Sequence, residues 1–176
     1  PTMPGSYVAT FTIAESQNYN ALSKDVPFTI EKATINYVAD GSTGEYCGTG
    51  YGITITVSTP SSGVTVKYSE TDAGPWQDNP ITFKDVCTDK PIYFQIEAEG
   101  YKTVTDSRLV TIVPRSVTFS SASANKKYDG LPLISDLVTV GGEGFASGDL
   151  FEFDVTGAIT DVGRTKNSFT YSPARG

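Results

Sequence analysis

The sequence predicts an all-β protein made of tandem β-sandwich repeats, and three observations support this prediction. The composition combines 10 Tyr and 9 Phe with 17 Gly and 10 Pro, which is typical of short strands joined by turns. Turn signals recur about every 8–12 residues, and no segment has a convincing helical period. The chain also repeats itself at a constant offset of 82 residues, the separation of Tyr19 from Tyr101.

Other pairs share that offset: Phe28-Thr29-Ile30 with Val110-Thr111-Ile112, Ile35 with Val117, Tyr37 with Phe119, and Tyr46-Cys47-Gly48 with Tyr128-Asp129-Gly130. A period of this length matches one small β-domain. We therefore predict the C-terminal part of one repeat in residues 1–32, a complete repeat in 33–114, and a further repeat, incomplete at its C-terminus, in 115–176.

Strands are predicted wherever apolar and polar residues alternate, or short apolar runs occur, between turn signals such as Asp40-Gly41-Ser42 and Asp72-Ala73-Gly74-Pro75. In order, they cover residues 7–13, 26–30, 34–38, 53–58, 64–68, 81–83, 92–98, 109–113, 117–119, 137–140, 150–155 and 167–171. In the central repeat this pattern predicts an antiparallel sandwich of the immunoglobulin-like type.

The junctions between repeats are short. Residues 31–34 form the first, and Val113-Pro114-Arg115-Ser116 form the second. Neither contains Gly and one contains Pro, so we expect neighbouring repeats to be held semi-rigidly.

The net charge is −7, which repels nucleic acid and anionic membrane surfaces. No apolar run approaches the ~18 residues that span a bilayer, so we expect no membrane insertion. The chain shows no signal peptide and begins inside what the repeat pattern makes a domain. We therefore expect it to be a segment of a longer protein.

Cys47 and Cys87 are the only cysteines. In an immunoglobulin-like topology, the loops that hold them lie at the same end of the sandwich. We predict a disulfide between them, which would stabilise by roughly 4 kcal/mol and suit an oxidising compartment. Two unpaired thiols are the alternative.

The chain contains no His, which excludes a Ser-His-Asp triad, a Cys-His pair and a His-ligated zinc site. We predict no catalytic residue and no cofactor. Carboxylates near the junctions could bind calcium, but they lack the spacing of a known calcium loop, so we interpret them as turn residues and predict no metal site. They are Asp40, Glu45, Asp85 and Asp89.

Trp76, the only tryptophan, follows the Gly74-Pro75 turn. An exposed aromatic ring can stack on a sugar, so Trp76 is a candidate ligand-binding residue. The alternative is that it caps the edge of the sandwich beside Tyr68.

At these motifs the chain resembles repeats of bacterial surface proteins. Pro4-Gly5-Ser6-Tyr7 to Ile30, with Asn18-Tyr19-Asn20 inside, resembles the end of an MBG-type repeat. The central repeat resembles Ig-like repeats of large Gram-positive surface proteins. That likeness lies in Ile55-Thr56-Val57-Ser58-Thr59-Pro60, Val64 to Tyr68 and Ala98-Glu99-Gly100-Tyr101. The third resembles a YDG repeat through Tyr128-Asp129-Gly130, Gly148-Asp149 and Thr160-Asp161-Val162-Gly163.

The resemblance implies a non-enzymatic, extracellular stalk segment that projects other domains from the cell envelope. Its alternative is a module that binds host carbohydrate or mucin. The chain departs from such repeats at its two cysteines, and the third repeat lacks the last strands of the pattern before Gly176. Incomplete sandwiches expose sheet edges, so we also expect that molecules could associate head to tail.

Overall fold

The computed structural model describes residues 1–174, and the last two positions of the predicted third repeat lie outside the described residues. The described chain is all-β and has no helix, which confirms the predicted class. Its strands are β1 (Gly5–Ile13), β2 (Leu22–Ile30), β3 (Asn36–Asp40), β4 (Ser42–Glu45), β5 (Thr54–Thr59), β6 (Val64–Ser69), β7 (Cys87–Ala98), β8 (Val104–Val113), β9 (Val117–Ser121), β10 (Leu133–Ile134), β11 (Val138–Gly142), β12 (Phe151–Val155), β13 (Ala158–Ile159) and β14 (Phe169–Pro173).

Hydrogen bonds assemble one four-stranded sheet, in the order β4-β8-β7-β6. The remaining strands form the pairs β1-β2, β3-β5, β9-β11, β10-β13 and β12-β14, all of them antiparallel. Strand β4 runs parallel to β8, from Ser42 opposite Val110 to Glu45 opposite Val113. The predicted antiparallel arrangement is therefore wrong for this pair.

The segment Asp40-Gly41-Ser42 does not form a turn between two strands that pair with each other. Instead, the strands before and after it pair with different strands. Asp40 ends β3, which pairs with β5, and Ser42 begins β4, which pairs with β8. Gly41 stands so close to the Leu109 carbonyl that a β-carbon would collide with it. A glycine thus permits the switch, and its turn-like appearance explains why β4 was not predicted.

Contacts divide the chain into two units. The first contact unit contains Pro1–Gly41, Ile53–Ile81 and Pro91–Leu109. Its core centres on Ile35, Ala39, Phe94 and Ile96, against which pack half-buried side chains of β5 and β6. A hydrogen-bonded group borders this core. Asp106 accepts hydrogen bonds from the Tyr37 hydroxyl (2.8 Å) and from Arg108 (2.7 Å).

The β1-β2 hairpin belongs to the first contact unit but contributes little to this core. Directly opposed residues share a face, so one face carries Tyr7, Ala9, Phe11, Ile13, Leu22, Lys24, Val26 and Phe28. We call this the apolar hairpin face. Phe11 is 63% exposed and Ile13 is 60% exposed, and only Lys24 is charged. The other face is mainly Ser, Thr and Asp.

The second contact unit contains Ser42–Gly52, Thr82–Lys90 and the chain from Val110 onward. Val110 and Ile112 are fully buried. Further along the chain, aromatic rings gather around Phe119, with Phe145 and Phe151 stacked at 4.4 Å between centroids. This aromatic cluster consists of Phe119, Phe145, Phe151, Phe153, Phe169 and Tyr171.

The second predicted junction, 113–116, lies within the second contact unit and is bound on several sides. Arg115 donates hydrogen bonds to the carbonyl oxygens of Glu143 and Gly144. The Ser116 amide donates to a Glu45 carboxylate oxygen at 3.4 Å. These contacts restrain the linker. The division of the chain into repeats at 1–32, 33–114 and 115–176 stays a prediction.

Candidate functional site

The two cysteines are free, half-buried thiols, and the predicted Cys47–Cys87 disulfide is absent. Cys47 Sγ lies 3.0 Å from Thr49 Oγ1, whereas Cys87 Sγ is directed at the Val110 carbonyl oxygen, 3.7 Å away. The sheet order explains this correction. Cys47 follows β4 and Cys87 begins β7, with β8 between them. Two strands on either side of a shared neighbour lie about 9–10 Å apart, which is farther than the Cα separation that a disulfide spans.

Cys47 lies in a turn built by its neighbours. Gly48 has a φ of +79°, and the Tyr51 hydroxyl, which accepts a bond from the thiol at 3.5 Å, donates to the Glu45 carbonyl at 2.8 Å. The hydrogen bond with Thr49, followed by the one with Tyr51, holds the pKa of the Cys47 thiol below its usual value. A lower pKa favours the thiolate and so increases reactivity toward alkylating reagents.

Trp76 is half-buried, in a segment attached to the edge of the four-stranded sheet. The neighbouring Gln77 exchanges two backbone hydrogen bonds with Tyr68, at 2.8 and 2.9 Å. The indole lies against Gly74, where a β-carbon would stand 3.0 Å from Cδ1. This position beside Tyr68 agrees with the capping alternative, and its role in ligand binding stays a prediction.

Two of the four candidate carboxylates, Asp89 and Glu45, take part in local structure. Asp89 accepts a hydrogen bond from the Thr111 hydroxyl at 3.1 Å, and its amide donates to the same oxygen at 3.0 Å. Glu45 accepts from the Ser116 amide. Within residues 1–174, no group of three or more Asp, Glu, Cys or His side chains could hold a metal ion.

A cleft of about 770 Å³ lies in the second contact unit, lined mainly by residues 121–126 and 163–167. Three cations line it: Lys126, Arg164 and Lys166. Lys126 forms an ion pair with Asp129 at 2.8 Å, and this hydrogen bond is the main cause that lowers the pKa of the Asp129 carboxyl. Arg164 and Lys166 are exposed, and neither has a hydrogen bond or ion pair within the described chain.

Asn167 fastens the two segments of the cleft together. Its Nδ2 donates to the carbonyl oxygens of Ala122 (3.0 Å) and Ser135 (2.8 Å), and the Ser121 hydroxyl donates to the Asn167 carbonyl at 2.7 Å. Its Oδ1 is buried and receives no hydrogen bond from the described residues. Three bonds at one residue give the cleft a fixed wall.

Sequence reasoning did not find this cleft. Its signal was available in Arg164-Thr165-Lys166-Asn167, which places two cations close together in an acidic chain. The segments that complete the cleft lie about 40 residues earlier and are joined to it through Asn167, a contact that periodicity does not reveal.

The chain matches no model of a known protein family, and no curated protein matches it. Within the described residues, no helix is long and apolar enough to cross a membrane.

Proposed function

We propose that this chain is a non-enzymatic stalk segment of a bacterial surface protein, built from tandem immunoglobulin-like sandwiches that project other domains from the cell envelope. The observation that carries this proposal is the bound junction at 113–116. Tyr46, before the junction in sequence, donates a hydrogen bond to Asp149 at 3.1 Å, after it. Together with the bonds of Arg115 and Ser116, this contact makes bending at the junction costly.

The repeat that the proposal requires has structural counterparts at the same offset of 82 residues. Strand β1 begins at Gly5 and β7 at Cys87, and β2 begins at Leu22 and β8 at Val104. Gly48 and Gly130, which also share this offset, have φ angles of +79° and +77°. Two turns that need a left-handed backbone at equivalent positions support a common repeat.

A sandwich-like arrangement is supported by the core of the first contact unit. This core takes Ala39 from the β3-β5 pair and Phe94 and Ile96 from the four-stranded sheet. Burial of side chains from two sheets in one core is the basic feature of a β-sandwich.

The apolar hairpin face supports a second proposal, that another copy of the chain covers it. Its strand β2 begins 82 residues before β8, where Val110 and Ile112, which lie at the same offset from Phe28 and Ile30, are fully buried. Strand β2 therefore has a pattern of apolar residues that suits burial. The aromatic cluster offers an apolar partner of matching chemistry, because its rings keep partial exposure. We propose a head-to-tail contact between these two surfaces.

The stalk role is tested by antibodies raised against this chain and applied to intact and permeabilised cells of the source bacterium. A stalk on the envelope should be labelled on intact cells, and brief protease treatment of those cells should remove the signal. Labelling that requires permeabilisation would refute the proposal.

A further inference from the structure

The basic cleft of the second contact unit has the properties of a small-ligand site. Its volume of about 770 Å³ lies within the range of small-molecule sites, roughly 300–1,000 Å³. Arg164 and Lys166 bring two positive charges that no described residue neutralises. Unpaired cations at a concave surface attract an anionic group.

The charge of the cleft is opposite to that of the chain. The whole molecule carries −7, yet none of the described residues that line the cleft is Asp or Glu. The third cation, Lys126, is already engaged by Asp129 and by the Pro132 carbonyl. The free charge of the cleft is therefore supplied by Arg164 and Lys166, which suits a ligand with a single anionic group better than a polyanion.

The uncharged lining residues indicate what else the ligand carries. Ser123 and Thr165 are among the lining residues, and their hydroxyl groups can donate or accept hydrogen bonds. Leu133 and Ile159 add apolar surface. A sugar ring presents hydroxyl groups at its rim and C–H groups on its faces, and so matches this mixture.

We propose that the cleft binds a carboxylate-bearing saccharide, with Arg164 and Lys166 holding the carboxylate. Asn167 is hydrogen-bonded to Ser121, Ala122 and Ser135, and these three bonds anchor the end of the 163–167 segment before any ligand arrives. A fixed wall reduces the ordering that binding requires. A nucleic acid is disfavoured, because the net charge of −7 repels it.

This proposal is independent of the stalk role and is tested by titrating ¹⁵N-labelled protein with sialyllactose and, separately, with lactose. Sialyllactose should shift the amide signals of residues 121–126 and 163–167, and lactose should bind at least about tenfold more weakly, because it lacks the charged group. Increasing NaCl should weaken the binding of sialyllactose.

The double variant Arg164→Gln/Lys166→Gln should lose at least about tenfold in affinity for sialyllactose. Both side chains are exposed, so its spectrum should otherwise match that of the wild type. Lys32→Gln/Lys84→Gln, which removes two exposed cations outside the cleft and outside the apolar hairpin face, should bind as the wild type does. Absence of binding, equal binding of lactose, or unchanged binding by the first variant would overturn the proposal. So would sodium acetate if it bound as tightly as sialyllactose, since that result would show an anion site only.

Discussion

Single residues differ sharply in burial, and Phe94 shows the extreme. It has 0% exposure and meets the edge of Tyr37 at 5.8 Å between ring centroids. We expect Phe94→Ala to lower the free energy of unfolding by about 3–5 kcal/mol, because it leaves a cavity in the core. Leu109→Ala, at a side chain 50% exposed, should cost less than about 1 kcal/mol. Urea denaturation followed by fluorescence measures both, and equal losses would contradict this core assignment.

The carboxyl of Asp106 should make the free energy of unfolding depend on pH at low pH. Burial opposes its ionisation, but hydrogen bonds from Tyr37, the Ser107 amide and Arg108 outweigh burial and lower the pKa of its carboxyl. A depressed folded pKa adds stability above the unfolded value of about 3.9, and this contribution disappears as pH falls through the folded pKa. The difference in urea midpoint between wild type and Asp106→Asn should therefore shrink below about pH 4.

Tyr37→Phe removes one of the hydrogen bonds to Asp106 and should give a pH profile between those of the wild type and Asp106→Asn. Identical pH profiles for the wild type and Asp106→Asn would show that this carboxylate does not contribute.

The free thiols give a direct test of the corrected disulfide. Non-denaturing treatment with iodoacetamide at pH 7 should label both cysteines, and mass spectrometry should show faster labelling of Cys47, whose pKa is lowered. Thr49→Val removes the hydrogen bond to Sγ and should slow labelling of Cys47 by roughly twofold to tenfold. Thr43→Val is the control and should have no effect. A peptide that links Cys47 and Cys87 in air-oxidised protein would restore the original prediction.

The sequence predicted residues of the core better than contacts between side chains. Alternation identified Ile92, Phe94 and Ile96, and all three are fully buried. The disulfide failed because a loop position in an assumed topology does not specify how many strands separate two cysteines. The cleft was missed because Asn167 joins segments that are distant in the chain, and no local pattern encodes such a contact.

At the scale of elements, comparing two glycines distinguishes the energetic cost of backbone strain from the cost of steric crowding. Gly48 and Gly63 both have positive φ, at +79° and +69°. A β-carbon on Gly48 would lie 2.5 Å from the Ser147 carbonyl oxygen, while one on Gly63 would meet nothing within 4 Å. Gly63→Ala should cost about 1 kcal/mol from strain alone, and Gly48→Ala about 1–3 kcal/mol more.

Thermal unfolding of the two variants measures this difference. Equal melting temperatures would mean that the Gly48 turn can move away from Ser147 without cost.

Strand prediction succeeded where apolar and polar residues alternate over many positions. It failed where strand pairing depends on residues distant in the sequence. Residues 7–13 and 92–98 lie within β1 and β7. The predicted strand at 81–83 is reduced to a single bridge between Phe83 and Tyr51. Strands β10 and β13 have two residues each, too few for any period to appear.

At the scale of the whole molecule, the proposed head-to-tail contact can be tested at the apolar hairpin face. If a second copy covers it, the mass measured by light scattering should rise with protein concentration. Phe11→Asp places a charge on that face and should abolish the rise. Val8→Asp is the matched control, since Val8 is 60% exposed on the opposite face of the same strand, and it should associate as the wild type does. A constant monomer mass in the wild type would exclude the head-to-tail contact.

The parallel pairing of β4 with β8 has a mechanical consequence. The chain enters β4 at Ser42 and leaves β8 at Val113, and the two strands point the same way. Tension applied upstream of β4 and downstream of β8 pulls these strands past each other along their common axis. Their interstrand hydrogen bonds then carry the load together rather than opening one at a time. We therefore expect this pair to resist extension more strongly than a pair whose hydrogen bonds open in sequence.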